Sequence, residues 1–270
     1  MANLSITTAW NETAGFVARE ARLLFPLAFM LVALPVAALT ALTPAPAGPA
    51  ELPPMGLWTL AVPVALIAST IGNIAISHLA LRPGASVGEG IARGTARFLT
   101  LIVAVIVLVV ALIAAFFIVA MIVMALVPGA MAGAQSGMPT PELETATWLM
   151  MALMLPLVIL LAARLLVMTP AAAAEQGGPL ALMRRSWTLT SGHSWKLIGF
   201  ILLVSIALGV LGTAIQSVVG LVAALLIGPL APGSLSMLIV ILAMAGVNTV
   251  IGAYLATLLA RIYAQLAGTA

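Results

Sequence analysis

The chain has 270 residues, 64% of them hydrophobic and 6% charged, against about 45–50% and about 25% in an ordinary soluble domain. So few charges cannot cover a surface that faces water, which excludes a soluble globular fold. With no Asp, no Cys and two His, disulfide and thiolate chemistry are excluded as well, and the net charge of +3 rests on a few Arg and Lys whose placement follows membrane topology rather than nucleic-acid binding.

Residues 1–22 come first, with Ile6, Trp10, Phe16 and Val17 recurring at helical spacing while Asn11, Glu12, Arg19 and Glu20 fall elsewhere. That pattern predicts an amphipathic helix lying in the membrane interface. Glu12 precedes any long apolar run, unlike a cleavable signal peptide. Residues 23–270 read as a single transmembrane domain of six spans. The first is predicted over 23–42, with Pro35 bending it. Pro44, Pro46, Pro49, Pro53 and Pro54 then make a stiff non-helical loop that carries Glu51. The second span, which starts at Leu57, is predicted over 57–81 and the third over 98–127, joined by an elbow over 83–97. A loop with Glu142 and Glu144 leads to the fourth span, 147–169, and a second elbow covers 170–195. Between Lys196 and Arg261 lie 64 residues without a charge, which as one helix would run roughly 96 Å, about three times the hydrocarbon thickness. The run must turn back, and residues 228–233, rich in Gly and Pro, are the place. Span five is then 197–227 and span six 235–266.

Six spans put Arg19, Arg22, Arg82, Arg93, Arg97, Arg184, Arg185, Lys196 and Arg261 on one side, with Arg164 near that end of span four. The opposite loops carry Glu51, Glu142 and Glu144. This asymmetry predicts both termini in the cytoplasm. Trp58 and Trp148 mark the outer boundary, and Trp10, Trp187 and Trp195 the inner one. Ser86 and Glu89 have capping-box spacing, which predicts a short interfacial helix over 87–97. Pro179 suits the start and Gly192 the end of a second. Trp58, Pro63, Pro83, Arg93 and Gly94 are matched in order by Trp148, Pro156, Pro170, Arg185 and Ser186, the pattern of an internal parallel repeat.

The residues 84–88, Gly-Ala-Ser-Val-Gly, match a nucleophile-elbow pattern, but no strand precedes them and no Asp exists, and capping already explains Ser86. Asn3 and Asn11 match a glycosylation pattern on the predicted cytoplasmic side, where it has no meaning. His78 and His193 lack a third clustered ligand, so neither a metal nor a cofactor is expected. Arg164 is the one charge inside an apolar segment, and two readings of it stand together: a structural ion pair with Glu175, folded back by the bend at Pro170, or a site for a lipid phosphate or substrate anion. Arg184, Arg185 and Lys196, with Trp187 and Trp195 interleaved, set topology and also suit anionic headgroups. Ser69, Asn73, Gln216 and Asn248 mark weakly polar stripes that serve either helix packing or a central cavity.

The stretch from Arg164 through Pro170, Glu175, the run 179–182, Arg185, Ser186, Trp187, Thr190, Gly192, Trp195 and Lys196 resembles a segment of uncharacterised six-span bacterial inner-membrane proteins. It is also similar to the membrane domain attached to some glycerophosphoryl diester phosphodiesterases. The resemblance implies a multi-pass module of the bacterial cytoplasmic membrane linked to envelope lipids. It does not carry over catalysis, because the soluble catalytic domain of those enzymes has no counterpart here. The expectation is a non-enzymatic, lipid-associated scaffold or accessory module that engages anionic lipids through its elbows, with a protein partner or second copy left open. The alternative is a transporter or permease for a small neutral or lipid-like solute.

Overall fold

The computed structural model describes residues 4–44, 53–56, 58–136 and 140–268, and every regular element among them is helical. Among the described residues six stretches are long and apolar enough to cross a bilayer: Ile6–Leu42, Trp58–Leu81, Val87–Leu126, Pro141–Ala174, Ser194–Leu226 and Leu235–Ala267. The fold is an all-α membrane bundle. Helix is what such a sequence must form in hydrocarbon, where a backbone N–H or C=O without a partner costs several kcal/mol. Asn3, Pro46, Pro49, Glu51 and Leu57 lie outside the described residues.

The first stretch is one bent rod: α1 (Ile6–Ala28), a π-helical turn (Phe29–Ala33) and α2 (Leu34–Leu42). The π turn falls where Pro35 removes an N–H and its ring crowds the carbonyl four residues back, inside that turn. The segments 1–22 and 23–42, expected as an interfacial helix and a separate span, are thus continuous, with a local departure from helical geometry at Glu20 (φ −102°, ψ 15°). The early part buries Ala9, Thr13, Phe16 and Val17 against the last helix of the chain, numbered α10 below. Ser5 caps α1 by accepting the Thr8 N–H at 3.3 Å, and its own N–H donates to Gln265 Oε1 at 3.1 Å. Residues 5 and 265 therefore share one end of the molecule.

After α3 (Trp58–Leu81) the chain turns through Gly84 into α4 (Val87–Leu126), capped by the expected box between Ser86 and Glu89. The elbow expected over 83–97 is not a separate helix, because nothing between Arg97 and Phe98 breaks the backbone and α3 holds the first turns of α4 in line. Gly90 and Gly94, four residues apart, let the helices approach so closely that a Cβ at Gly94 would lie 2.6 Å from the Ile71 carbonyl oxygen. At 40 residues, α4 is roughly 60 Å long, about twice the hydrocarbon thickness, so one end projects from the membrane.

The second half is built differently. A short α5 (Ala130–Ser136) precedes α6 (Pro141–Leu165), which Thr140 caps through the Leu143 N–H. The helix breaks at Leu166 and Val167 and resumes as α7 (Met168–Ala174), then α8 (Pro179–Thr190), before α9 (Ser194–Leu226) and α10 (Leu235–Ala267). Gly192 takes φ +91° between α8 and α9, a value open to Gly at no steric cost. Over 170–195, expected as one elbow, the chain forms most of α7 and the whole of α8, so the connections within the two halves differ.

Packing is concentrated at the end where residues 5 and 265 meet. One core surrounds α7, with Val167, Met168, Ala172, Leu182, Leu197, Leu258 and Ile262 buried. A second joins α1, α3 and α10 through Phe16, Leu24, Ala75, Ile76, Ala253 and Ala260. Towards the other end, α4 and α9 present Phe117, Val218 and Leu225 outward.

Candidate functional site

The break after α6 and the helix that follows it organise the charged end. A broken helix frees carbonyls that hydrocarbon cannot solvate, and nearby hydroxyls or cations must take them. The carbonyl of Arg164 accepts the hydroxyls of Ser186 at 2.8 Å and Thr190 at 3.1 Å, both on α8 and both fully buried. At the other end of α7, Arg93 donates from Nε to the Ala173 carbonyl and from Nη2 to the Glu175 carbonyl, each at 2.8 Å. Arg97 Nη2 reaches the Gly177 carbonyl at 2.7 Å. Arg93 thus closes the negative C-terminal end of α7, the favourable polarity for a helix dipole, and Arg97 holds the chain just past it.

Glu175 lies just past that end. Its Oε1 accepts from Arg185 Nε at 2.7 Å and from the Tyr263 hydroxyl at 2.6 Å. Burial pushes the carboxyl up, but the hydrogen bonds from Tyr263 and Arg185, with the guanidinium charge, outweigh it and leave it below its usual range. Its acceptor role in turn raises Arg185. Nothing local to Tyr263 signals this role, because its partner is 88 positions away.

The ion pair expected between Arg164 and Glu175 does not form. Seven residues of α7, roughly 10 Å of helix, separate the two groups, and Glu175 is already held by Arg185. Arg164 instead stacks on Trp187, its guanidinium carbon 5.1 Å from the ring centroid. Its Nε and Nη1 are buried and have no hydrogen-bond partner among the described residues. Beside it runs a groove of about 630 Å³ between α6 and α9, lined by Leu155, Pro156, Ile159, Leu160, Trp195 and Ile198. Of the six residues expected at a headgroup, Arg164, Trp187 and Trp195 come together here, and Trp195 is 86% exposed. Arg184 and Lys196 are exposed on the adjoining helices, whereas Arg185 turns to Glu175 on a different side.

The four residues expected to line one central cavity do not share one. Ser69 and Asn73 border a cavity of about 420 Å³ between α3, α4 and α10, and Gln216 and Asn248 border another of about 220 Å³. In the first, Asn73 Nδ2 donates to the Ser69 carbonyl at 2.8 Å and Ser69 Oγ to the Leu66 carbonyl at 3.2 Å, so both side chains fold back on their own helix.

A family model described as a domain of unknown function (DUF7847) matches residues 4–266. No curated protein and no solved structure matches the chain. The similarity to the phosphodiesterase membrane domain noted in the sequence finds no counterpart in these comparisons.

Proposed function

The chain belongs to the DUF7847 family, and from that premise we propose that it is a non-enzymatic lipid-binding module of the bacterial cytoplasmic membrane. Its charged end faces the cytoplasm, as the distribution of Arg and Lys favours. One observation carries the lipid reading: a half-buried guanidinium, two of whose nitrogens are buried and unpartnered, lines an apolar groove. A buried cationic donor without an acceptor is costly, and phosphate oxygens satisfy it with short charge-assisted bonds. The stacking on Trp187 fixes the plane of the fork, and the exposed indole of Trp195 suits headgroup depth. Acyl chains then follow Leu155, Ile159 and Ile198. Arg184 and Lys196 add long-range attraction, about 1 kcal/mol per basic residue near an anionic surface.

Native mass spectrometry of the purified protein, exposed to equal amounts of phosphatidylglycerol and phosphatidylcholine, tests this. Arg164→Gln should retain about tenfold less phosphatidylglycerol, and Arg184→Ala with Lys196→Ala should lose less. Equal retention by wild type and Arg164→Gln overturns the reading.

A second reading, passage of a small neutral or lipid-like solute, is favoured by the cavity of about 420 Å³ beside the start of α7, where the buried Ser77 hydroxyl has no partner. Solute flux into vesicles containing the protein would support it.

A further inference from the structure

Another cavity, of about 560 Å³, opens at the same charged end and shares no lining residue with the groove beside Arg164, and five elements contribute to it. Its charged and titratable wall is Glu12 of α1, His78 and Arg82 at the end of α3, Glu175 and Arg185 at α7 and α8, and Arg261 and Tyr263 of α10, the last donating to Glu175. Pairing removes two of these from consideration, since Arg185 and Glu175 hold each other at 2.7 Å. His78 hydrogen-bonds to the backbone of Ala173.

Two cations remain. Among the described residues neither Arg82 nor Arg261 makes an ion pair. Arg261 lies over the Phe16 ring, its guanidinium carbon 5.3 Å from the centroid, and its Nε is buried without a partner. Stacking on Phe16 leaves the edge of the fork free, and the N–H groups of a guanidinium lie along that edge. The one carboxylate not already paired, Glu12, is exposed. A cavity walled by two unpaired guanidiniums, exposed Arg82 just past α3 and Arg261 on α10, has the donors to hold a planar or tetrahedral oxyanion, and its position at the charged end gives access from water rather than hydrocarbon.

We propose that this cavity binds a phosphate-type oxyanion between Arg82 and Arg261, with Glu12 opposing it at the edge. The inference is independent of the lipid groove, from which it differs in residues, helices and surroundings. The oxyanion is either a free phosphate or phosphomonoester, or the headgroup of an anionic lipid reaching around the charged end.

The test is isothermal titration of the full chain in a maltoside detergent, which contains no phosphate, using inorganic phosphate in one arm and phosphatidylglycerol-doped micelles in the other, against sodium chloride of equal ionic strength. Binding of either phosphate probe that chloride does not reproduce is expected. Arg82→Gln and Arg261→Gln should each weaken it by about tenfold or more, the loss of a charge-assisted hydrogen bond. Glu12→Gln should move it the other way and tighten it. Response in the first arm assigns a soluble ligand, and response in the second arm alone assigns a lipid when Arg82→Gln weakens it, since the groove beside Arg164 takes up the same lipid without Arg82. Should Arg261→Gln not fold, because it also loses its stacking on Phe16, Arg82→Gln and Glu12→Gln decide the matter by their opposite signs. The proposal is overturned if chloride matches both phosphate probes, or if those two variants bind as the wild type does.

Discussion

Glu175 shows how much one side chain governs at this end of the bundle. Its carboxylate joins α8 through Arg185 and α10 through Tyr263, while its backbone carbonyl joins α4 through Arg93. Since the folded chain holds this proton less tightly than the unfolded one, its contribution to stability is complete above the ordinary value of 4.5 and fades as pH falls through the lowered folded value. Thermal unfolding in detergent between about pH 7 and about pH 3.5 should therefore show the wild type losing stability more steeply than Glu175→Gln. Parallel pH profiles would contradict this. Arg164 teaches the complementary lesson about reading a sequence. That a lone cation sits in an apolar segment is visible from the residues alone; that it stacks on Trp187 rather than pairing with Glu175 is not. The deciding event is the break at Leu166 and Val167, and neither residue is a helix breaker by type.

Between elements, α3 and α4 meet backbone to backbone at Gly94. An added methyl there meets the backbone of Ile71 rather than a flexible side-chain tip, so the helices must move apart. Gly94→Ala should cost about 1–3 kcal/mol, measured as a lowered unfolding temperature in detergent. Gly209→Ala, where a methyl meets nothing within 4 Å, should be neutral or slightly stabilising through helix propensity. The same contact explains why the elbow expected over 87–97 is continuous with the span after it. Charge and capping residues mark where a helix starts, and they carry no information on whether it bends ten residues later. The second elbow was legible because Pro179 and Gly192 are themselves the breakers. The split of the polar stripes into two cavities was not, since it depends on how α9 and α10 are set against α3, a matter of contacts between distant parts of the chain.

Over the whole molecule, the spans were legible because solvation by lipid acts on each residue locally: charge-free runs of sufficient length become helices whatever they touch. The orientation proposed from the same residues is open to direct measurement, because the chain has no Cys. Thr145→Cys at the start of α6 and Ser191→Cys after α8 are both exposed and lie at opposite ends. A membrane-impermeant thiol reagent should label the first in intact cells and the second only after permeabilisation; the reverse pattern would invert the bundle. The uneven distribution of packing has a mechanical corollary. Where helices are held by one another, their spacing is set by protein; where they are held by acyl chains, it follows the thickness and lateral pressure of the bilayer. A thinner or more disordered membrane should therefore deform the half remote from the arginines first, while the carbonyls clasped around α7 stay put.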